Sequence, residues 1–292
     1  MRAQRGFTLL EAIVVMVIVG VIAAMVTVFM GRPIEGYFSS AARASMADIA
    51  DTALRRLGRD VRLALPNSVR VDSAGMFLEL LPIKTGGRYV QDDTCFSTGC
   101  TSMTTMGDML TNVQIVTGSD LIAIYNQYNN SGADCAPTTP GLYSAYCGSG
   151  HGVVTLTSAS GAGTNSNTFN FASTVFQPPG GSPTRRIFII SASPVTYVCD
   201  AAAGTVWRIS GYTRQAGQPT SLTTAPLSTA TSKVPLAVNA TCPAIVSGSV
   251  PPRFSYSSGA SERYNLLSAW ITLQSQGETI SLLHQIHVDN TP

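Results

Sequence analysis

The longest apolar stretch of the chain covers residues 7–31 and contains one charged side chain, Glu11. At 1.5 Å per residue it would form a helix of about 37 Å, enough to cross a hydrocarbon core of about 30 Å with some tilt. Arg2 and Arg5 precede the stretch, which predicts a cytoplasmic N-terminus. The stretch is too long for a secretory signal peptide, and no small-x-small cleavage site follows a short apolar core. We therefore predict a retained transmembrane helix.

A second helical pattern occupies residues 40–65. Apolar side chains recur there at three- and four-residue spacing, which predicts an amphipathic helix with one face against a sheet. Two pairs of opposite charge, Asp51 with Arg55 and Arg56 with Asp60, have the i,i+4 spacing of helix-surface ion pairs.

Proline and glycine interrupt the pattern at three places. Gly31-Arg32-Pro33 predicts a break or kink between the two helices, because Pro33 cannot donate a hydrogen bond to the carbonyl four residues back. Pro66 ends the second helix. The Pro/Gly-rich residues 178–183 form the strongest internal break, where we expect any boundary between two sheets. The chain thus divides into an apolar helix (7–31), its amphipathic continuation (32–65) and a globular domain (66–292).

Beyond residue 65 the pattern changes to short apolar runs between turn residues, which predicts β-strands. The last two runs flank Gln276-Gly277-Glu278 and predict a terminal hairpin, whereas residues 95–109 and 215–252 are predicted to be mostly irregular. The predicted class is α+β, with a long N-terminal α-helix packed on an antiparallel β-sheet and extra β elaboration. The predicted strands cover residues 69–71, 76–81, 113–116, 121–125, 153–157, 169–171, 187–192, 196–199, 206–209, 266–274 and 279–288.

Only 12% of the residues are charged, and serine, threonine, glycine and asparagine are abundant, which favours an exported β-rich domain over a cytosolic enzyme. The formal charge of +2 falls to zero without Arg2 and Arg5. Nucleic-acid-binding proteins usually carry a basic excess, so no nucleic-acid partner is expected. A local arginine group could bind DNA or lipid, but a solvated helix face or an intersubunit surface is favoured. The group consists of Arg55, Arg56, Arg59, Arg62 and Arg70.

The chain contains six cysteines, an even number, and in an exported protein this predicts three disulfides. Sequential pairing is favoured because each bond would close a loop within a Gly/Ser/Thr-rich stretch. A zinc site is disfavoured, since no C-x-x-C pair exists and no histidine flanks a cysteine at ligand spacing. The predicted pairs are Cys95–Cys100, Cys135–Cys147 and Cys199–Cys242.

The sequence contains no G-x-S-x-G, G-x-G-x-x-G or P-loop motif, so we predict neither enzymatic activity nor a cofactor. His284 and His287 would point to opposite faces of a strand, with His284 toward the core. His151 lies in a glycine-rich loop. Asp92-Asp93 and Asp120 leave calcium as an alternative, but adjacent acids are common in loops and no metal site is predicted.

The N-terminal sequence Arg5-Gly6-Phe7-Thr8-Leu9-Leu10-Glu11 resembles the prepilin N-terminus of type IV pilins and type II secretion pseudopilins. The resemblance implies a type IV pilin-like fold and a leader of residues 1–6. It implies that a prepilin peptidase cuts after Gly6 on the cytoplasmic side and methylates the new terminus, Phe7. Glu11 would pair with the terminal amine of a neighbouring subunit and set the register of packing, because each charge alone carries a desolvation penalty.

Shorter resemblances indicate which type of pilin subunit the chain would be. Residues 57–64 are similar to the run after the anchor in J-type minor pseudopilins, and residues 32–37 and 284–290 are similar to minor pilins of mannose-sensitive haemagglutinin (MSHA) pili. They imply a minor pilin in the tip or priming complex that initiates assembly of a type IV pilus or related secretion fibre. Its partners would be other minor pilins, the major pilin and the inner-membrane assembly platform.

Such a chain would cross the inner membrane once, with its globular domain in the periplasm, and would later enter an extracellular fibre. One alternative is a tip adhesin that recognises a surface glycan or DNA through the loops at 126–152 and 215–252. Another is a membrane-anchored periplasmic enzyme, against which the missing catalytic motifs argue.

Overall fold

In the computed structural model of this 292-residue chain, the described residues form one long helix and fourteen β-strands. They are residues 7–107, 109, 115–128, 135, 143–147, 152–159, 167–176, 179–242, 253–258 and 264–291. The helix, α1, is Leu9–Arg62. The strands are β1 (Arg70–Val71), β2 (Phe77–Leu80), β3 (Ile83–Arg88), β4 (Cys100–Thr104), β5 (Leu121–Ala123), β6 (Val153–Ala159), β7 (Thr168–Thr174), β8 (Arg186–Ile190), β9 (Val195–Asp200), β10 (Thr205–Ser210), β11 (Ser232–Val238), β12 (Phe254–Ser258), β13 (Tyr264–Ser275) and β14 (Glu278–Asp289).

The helix α1 continues without interruption through Gly31 and Pro33. Of the two predicted alternatives, the break is therefore wrong, and the kink stays a prediction. Pro33 removes one backbone hydrogen bond, whereas the helical turns on either side of it keep theirs. At the C-terminal end the Leu63 N–H donates to the Arg59 carbonyl, and the chain leaves the helix before Pro66.

The two halves of α1 have opposite surroundings. The span Leu9–Thr27 is long and apolar enough to cross a membrane, and none of it is buried by the rest of the chain. In the second half the predicted apolar stripe is confirmed, since Met46, Ala50 and Leu57 are at most 4% exposed. The first half of α1 is therefore apolar and not covered by the described residues, whereas the second half is amphipathic and packed.

The packed half of α1 lies against two antiparallel sheets. One has the strand order β1-β2-β9-β10-β11 and the other has the order β12-β13-β14. A bridge between Ala240 and Leu273 joins the two sheets. The side chains of Leu54, Leu78 and Leu267 meet in the core that α1 shares with them. We call α1 and these two sheets the body.

The other six strands form a sheet with the order β3-β8-β5-β6-β7-β4. Its two outer strands meet at a bridge between Tyr89 and Thr105, beside which the Val90 N–H donates to the Thr104 carbonyl at 2.8 Å. This contact closes the sheet into a barrel around an apolar core that includes Phe169 and Ile187. We call these six strands the barrel.

The barrel is an insertion between β2 and β9, which are paired neighbours in the body. The chain enters and leaves the barrel at adjacent points, because the Ser191 N–H donates to the Pro82 carbonyl at 3.1 Å and Ile83 pairs with Ile190. Residues 179–183 lie between β7 and β8, both of which are barrel strands. A small cluster that includes Leu65 packs where the two units meet.

The architecture is α+β with antiparallel sheets, as predicted, and is consistent with a type IV pilin-like fold. The strands β3, β4, β11 and β12 lie where no strand is predicted. The strand β3 contains Gly86 and Gly87 and β11 contains Pro235, which are unfavourable in strand interiors. Tertiary pairing overrides these local preferences. The predicted strand at 113–116 lies partly outside the described residues, and residues 115 and 116 are not in a strand.

All six cysteines form disulfides, and the pairing is the sequential one that the sequence favours. Cys199–Cys242 lies in the body core and links the end of β9 to the segment after β11. Cys95–Cys100 connects a short 3₁₀ helix, Asp93–Phe96, to β4 of the barrel.

A buried ion pair lies where the body meets the barrel. Arg70 Nη2 is 2.6 Å from Glu79 Oε2, and both side chains are fully buried. The Arg70 guanidinium also lies over the ring of Tyr146, 3.6 Å from its centroid, and the Tyr212 hydroxyl donates to Glu79 Oε1 at 2.8 Å. Arg70 was expected on an exposed arginine surface, and that expectation is wrong, because Arg70 lies on β1 and not on the helix.

Asp60 also has different partners from those predicted. Its Oδ2 accepts hydrogen bonds from the Tyr197 hydroxyl at 2.6 Å and from Arg208 Nε at 2.7 Å, so Asp60 ties α1 to β9 and β10 instead of pairing with Arg56. The other predicted pair forms, with Arg55 Nε 2.6 Å from Asp51 Oδ2.

Candidate assembly site

The beginning of α1 is fixed by Thr8. This residue has extended backbone angles, φ −83° and ψ 148°, and its side-chain oxygen accepts a hydrogen bond from the Glu11 N–H at 3.3 Å. The Ala12 N–H donates to the Thr8 carbonyl at 3.2 Å. Thr8 and Glu11 have the spacing of a helix capping box. This signal is present in the sequence, but the prepilin resemblance alone does not point to it. The cap places Glu11 in the first turn of α1.

Glu11 is exposed, and its carboxylate has no hydrogen-bond or ion-pair partner among the described residues. Phe7, four residues earlier, is 74% exposed. The only ionisable side chain of the described apolar span is therefore held one turn from Phe7 on an uncovered helix. In an apolar bilayer or helix bundle such a carboxylate is costly unless a cation meets it. The arrangement can accept a positively charged group from another chain.

Part of the predicted processing site falls outside the part of the chain that the structure describes. Gly6, Arg2 and Arg5 lie there, as does His151. Phe7 and Glu11 are the predicted processing and assembly residues that the structure places.

Three members of the arginine group lie along one exposed stripe of α1. Arg55, Arg59 and Arg62 line a groove of about 600 Å³ together with the half-buried His284 of β14. Gly58 makes room for this histidine, because a Cβ at Gly58 would lie 3.2 Å from His284 Nε2. His284 faces the helix, while the strand alternation leaves His287 exposed on the other face, so the predicted orientations are confirmed.

The acids considered for calcium serve separate local contacts. Asp120 Oδ2 lies 2.8 Å from Lys84 Nζ and accepts a hydrogen bond from the Val116 N–H at 2.6 Å. Asp92 accepts hydrogen bonds from the hydroxyl and the N–H of Thr94, which hold the pKa of its carboxyl below the usual value. No cluster of three or more His, Cys, Asp or Glu side chains suited to a metal occurs in the described ranges.

Comparison with known families supports a class of protein for this chain. A family model, the prokaryotic N-terminal methylation motif, matches residues 1–27 and supports a type IV prepilin-like protein. Searches of curated proteins and of solved structures found no match. The motif implies processing by a prepilin peptidase and assembly with other pilins, and it suggests a structural protein. The apolar helix fits a membrane-anchored, single-pass pilin.

Proposed function

We propose that the chain is a minor pilin of a type IV pilus or a related secretion fibre, and that it acts in the tip or priming complex that initiates assembly. The observation that carries this proposal is the position of Glu11. Its unpartnered carboxylate lies one turn from Phe7, on a helix whose first half is uncovered and whose second half is packed into the body. An uncovered helix of this kind is suited to leaving a bilayer for a bundle of similar helices.

In this proposal each segment of the chain has its own role. Residues 1–6 are the leader, which the prepilin peptidase removes after Gly6 before it methylates Phe7. Residues 7–31 anchor the subunit in the inner membrane, with the N-terminus in the cytoplasm, and later pack in the fibre. Residues 32–65 continue the helix into the globular domain of residues 66–292, which lies in the periplasm and then outside the cell. The inner-membrane assembly platform would move the subunit between these states.

Glu11 then acts through a neighbour. Cleavage after Gly6 would give each subunit an ammonium group at Phe7, and the Glu11 carboxylate of an adjacent subunit would pair with it. Each charge is costly alone in an apolar bundle, so the pair sets the register between subunits more than it adds stability.

The particular type of fibre is proposed from two short segments. Residues 32–37 lie in α1 and residues 284–290 lie in and after β14, and both are similar to the minor pilin O of MSHA pili. An MSHA-like pilus is therefore favoured over a secretion pseudopilus, which the J-type similarity of residues 57–64 would support. The inserted barrel makes the chain larger than abundant pilins usually are, which fits a low-copy subunit.

The test is Glu11→Ala in the native host, with Glu35→Ala as the matched control because Glu35 is an exposed acid of the same helix. We expect the Glu11→Ala chain to insert in the membrane and to begin at a methylated Phe7, since neither step needs the carboxylate. Its crosslinking to partner prepilins and its amount in sheared fibres should fall, together with the number of pili, while Glu35→Ala resembles wild type. Mass spectrometry, crosslinking and pilus counts measure these outcomes. An unprocessed Met1 chain in a piliated host, or normal assembly of Glu11→Ala, would contradict the proposal.

A further inference from the structure

The strand β14 forms one edge of the body, and its outer side pairs with no other strand in the part of the chain that the structure describes. It pairs with β13 over all 12 of its residues, without a register shift. Proteins usually protect so long an edge with a lysine, a proline or a bulge. From Glu278 to Asp289 the strand contains no lysine, arginine or proline. This edge is therefore open to pairing with a further strand.

The contacts of β13 show which backbone groups of β14 point outward. The Trp270 N–H donates to the Arg253 carbonyl at 2.8 Å, on the side of β13 that faces away from β14. Trp270 is opposite Leu283 in the register. When one member of an antiparallel pair directs its backbone groups away from the partner strand, the other does the same. The N–H and C=O of Leu283 therefore point to the free edge, and by alternation so do those of Ser281 and Gln285.

A positively charged groove lies beside this edge, between α1 and His284 of β14. It has a volume of about 600 Å³. Of the arginines that line it, Arg55 is paired with Asp51, whereas Arg59 and Arg62 are exposed and have no ion-pair partner among the described residues. Carboxylates form the strongest hydrogen-bonded pairs with guanidinium groups, so the groove suits acidic side chains.

The edge and the groove together define the pattern of a strand that would fit both. Paired residues of neighbouring strands place their side chains on the same face of a sheet. Residues of an added strand opposite His284 and alternate positions would face α1 and its arginines, where acidic side chains fit. Residues opposite Leu283, which is 50% exposed, would lie on the outer face, where apolar or β-branched side chains fit.

A second copy of β14 lacks this pattern. Its side chains that face α1 are apolar, apart from one histidine, and offer no carboxylate to the arginines. They are Ile280, Leu282, His284, Ile286 and Val288.

We infer that β14 binds an extended, acidic segment of a neighbouring pilin subunit by strand addition, with carboxylates of that segment on Arg59 and Arg62. The identity of this partner rests on the proposed function, but the contact is between globular domains and does not involve Glu11. Main-chain hydrogen bonds to the free edge would supply affinity, and the alternating carboxylates would supply specificity.

The experiment measures binding of a labelled peptide to the full chain in detergent by fluorescence anisotropy. The peptide has about ten residues and alternates glutamate with valine and threonine. We expect it to bind, with an affinity that falls as salt is added. Replacing each glutamate with lysine, or methylating the N–H groups on the pairing edge of the peptide, should each lower the affinity about tenfold or more.

Two variants of the chain test the two parts of the site. Arg59→Glu combined with Arg62→Glu should lower the affinity about tenfold or more. Arg88→Glu combined with Lys233→Glu is its control, because both residues are exposed outside the groove and the change in charge is the same. Leu283→Pro removes an outward N–H without removing a bond to β13, and should weaken binding to a similar extent, whereas Leu283→Val keeps the N–H.

Melting temperatures equal to those of the controls establish that the variants are folded, and the methylated peptide tests strand addition without changing the chain. Equal binding of the lysine peptide, or undiminished binding of the methylated peptide or of the acidic peptide to the folded variants, would overturn the inference.

In the native host, a photoreactive phenylalanine analogue in place of Leu283 should crosslink the chain to another prepilin of the same fibre. Crosslinks only between copies of this chain, or only to proteins that are not prepilins, would overturn the inference. Binding of the acidic peptide and this crosslink, found together with normal assembly of Glu11→Ala, would support the inference while contradicting the proposed role of Glu11.

Discussion

Arg70 is a buried cation whose partners come from three parts of the chain: Glu79, the ring of Tyr146 and the carbonyls of the β10–β11 connection. Replacing one member of a buried pair leaves the other charge without compensation, which costs about 3–5 kcal/mol. We therefore expect Arg70→Met to lower the free energy of unfolding by about that amount. Urea unfolding of the full chain in detergent, followed by the fluorescence of Trp207 in β10 and Trp270 in β13, measures the loss.

The control for Arg70 is Arg55→Met, since the Arg55 side chain is 74% exposed in its pair with Asp51. Exposed pairs of this type contribute about 0.5 kcal/mol or less. Similar losses for the two variants would contradict the structural role assigned to the buried pair.

Gly211 is the first residue of the connection between β10 and β11. Its φ is +77°, and a Cβ there would overlap the hydroxyl of Thr231. Gly211→Ala should therefore destabilise the chain by about 1–3 kcal/mol. Gly217→Ala on the same connection is the control, because a Cβ at Gly217 meets nothing within 4 Å. Thermal unfolding of the two variants compares them, and a Gly211→Ala chain as stable as the control would refute the prediction.

At the residue scale, sequence predicts what depends on near neighbours. The spacing of Gly6, Phe7 and Glu11 is local. The alternation of side chains along a strand, which places His284 and His287 on opposite faces, is also local. Arg70 and Glu79 could not be predicted as a buried pair, because a charged residue on a short strand is ordinarily solvated. Only the packing of Tyr146 and of the β10–β11 connection over β1 buries them.

At the scale of elements, α1 depends on cooperativity between its turns. Pro33 taken alone predicts a break, yet a 54-residue helix loses one hydrogen bond there and continues. The strand β11 contains Pro235 and is paired with β10 on one side, as is usual for proline at a sheet edge. Such pairing often involves residues far apart in sequence. This explains why the helix stripe and the terminal hairpin were predictable, whereas β3, β4, β11 and β12 were not.

The disulfides should differ in their effect on stability. Cys199–Cys242 spans 43 residues and Cys95–Cys100 spans 5, and a longer closed loop restricts the unfolded chain more. We expect replacement of Cys199 and Cys242 by alanine to cost about 4 kcal/mol, against about 2 kcal/mol for the shorter pair. Urea midpoints of the two double variants test this order, and a reversed order would contradict it. Peptide mapping without reductant should find the three pairs and no free thiol.

At the scale of the whole molecule, the body and the barrel have separate apolar cores. Units with separate cores tend to open independently of each other, and hydrogen exchange of the backbone amides detects such opening. We expect the hydrogen-exchange rates of peptides from β5 and β6 to depend on the urea concentration in one way. The rates of peptides from β9 and β10 should depend on it in a different way. Mass spectrometry of the full chain in detergent at increasing urea measures both.

Arg70→Met provides the internal comparison for this experiment. The variant should speed exchange in β9 and β10 of the body more than in β5 and β6 of the barrel, because Arg70 belongs to the body sheet. A single urea dependence for all four strands, unchanged in pattern by the variant, would mean that the chain opens as one unit.

The adjacent entry and exit of the barrel, at Pro82 and Ser191, have an evolutionary consequence. A segment whose two ends meet at neighbouring strands can be gained, lost or replaced by recombination without rethreading the body. Selection can then act on the inserted module at a different pace from the helix, which in the proposed fibre must remain compatible with the neighbouring subunits. Lineages that carry the same N-terminal helix can therefore differ widely in the segment that joins β2 to β9.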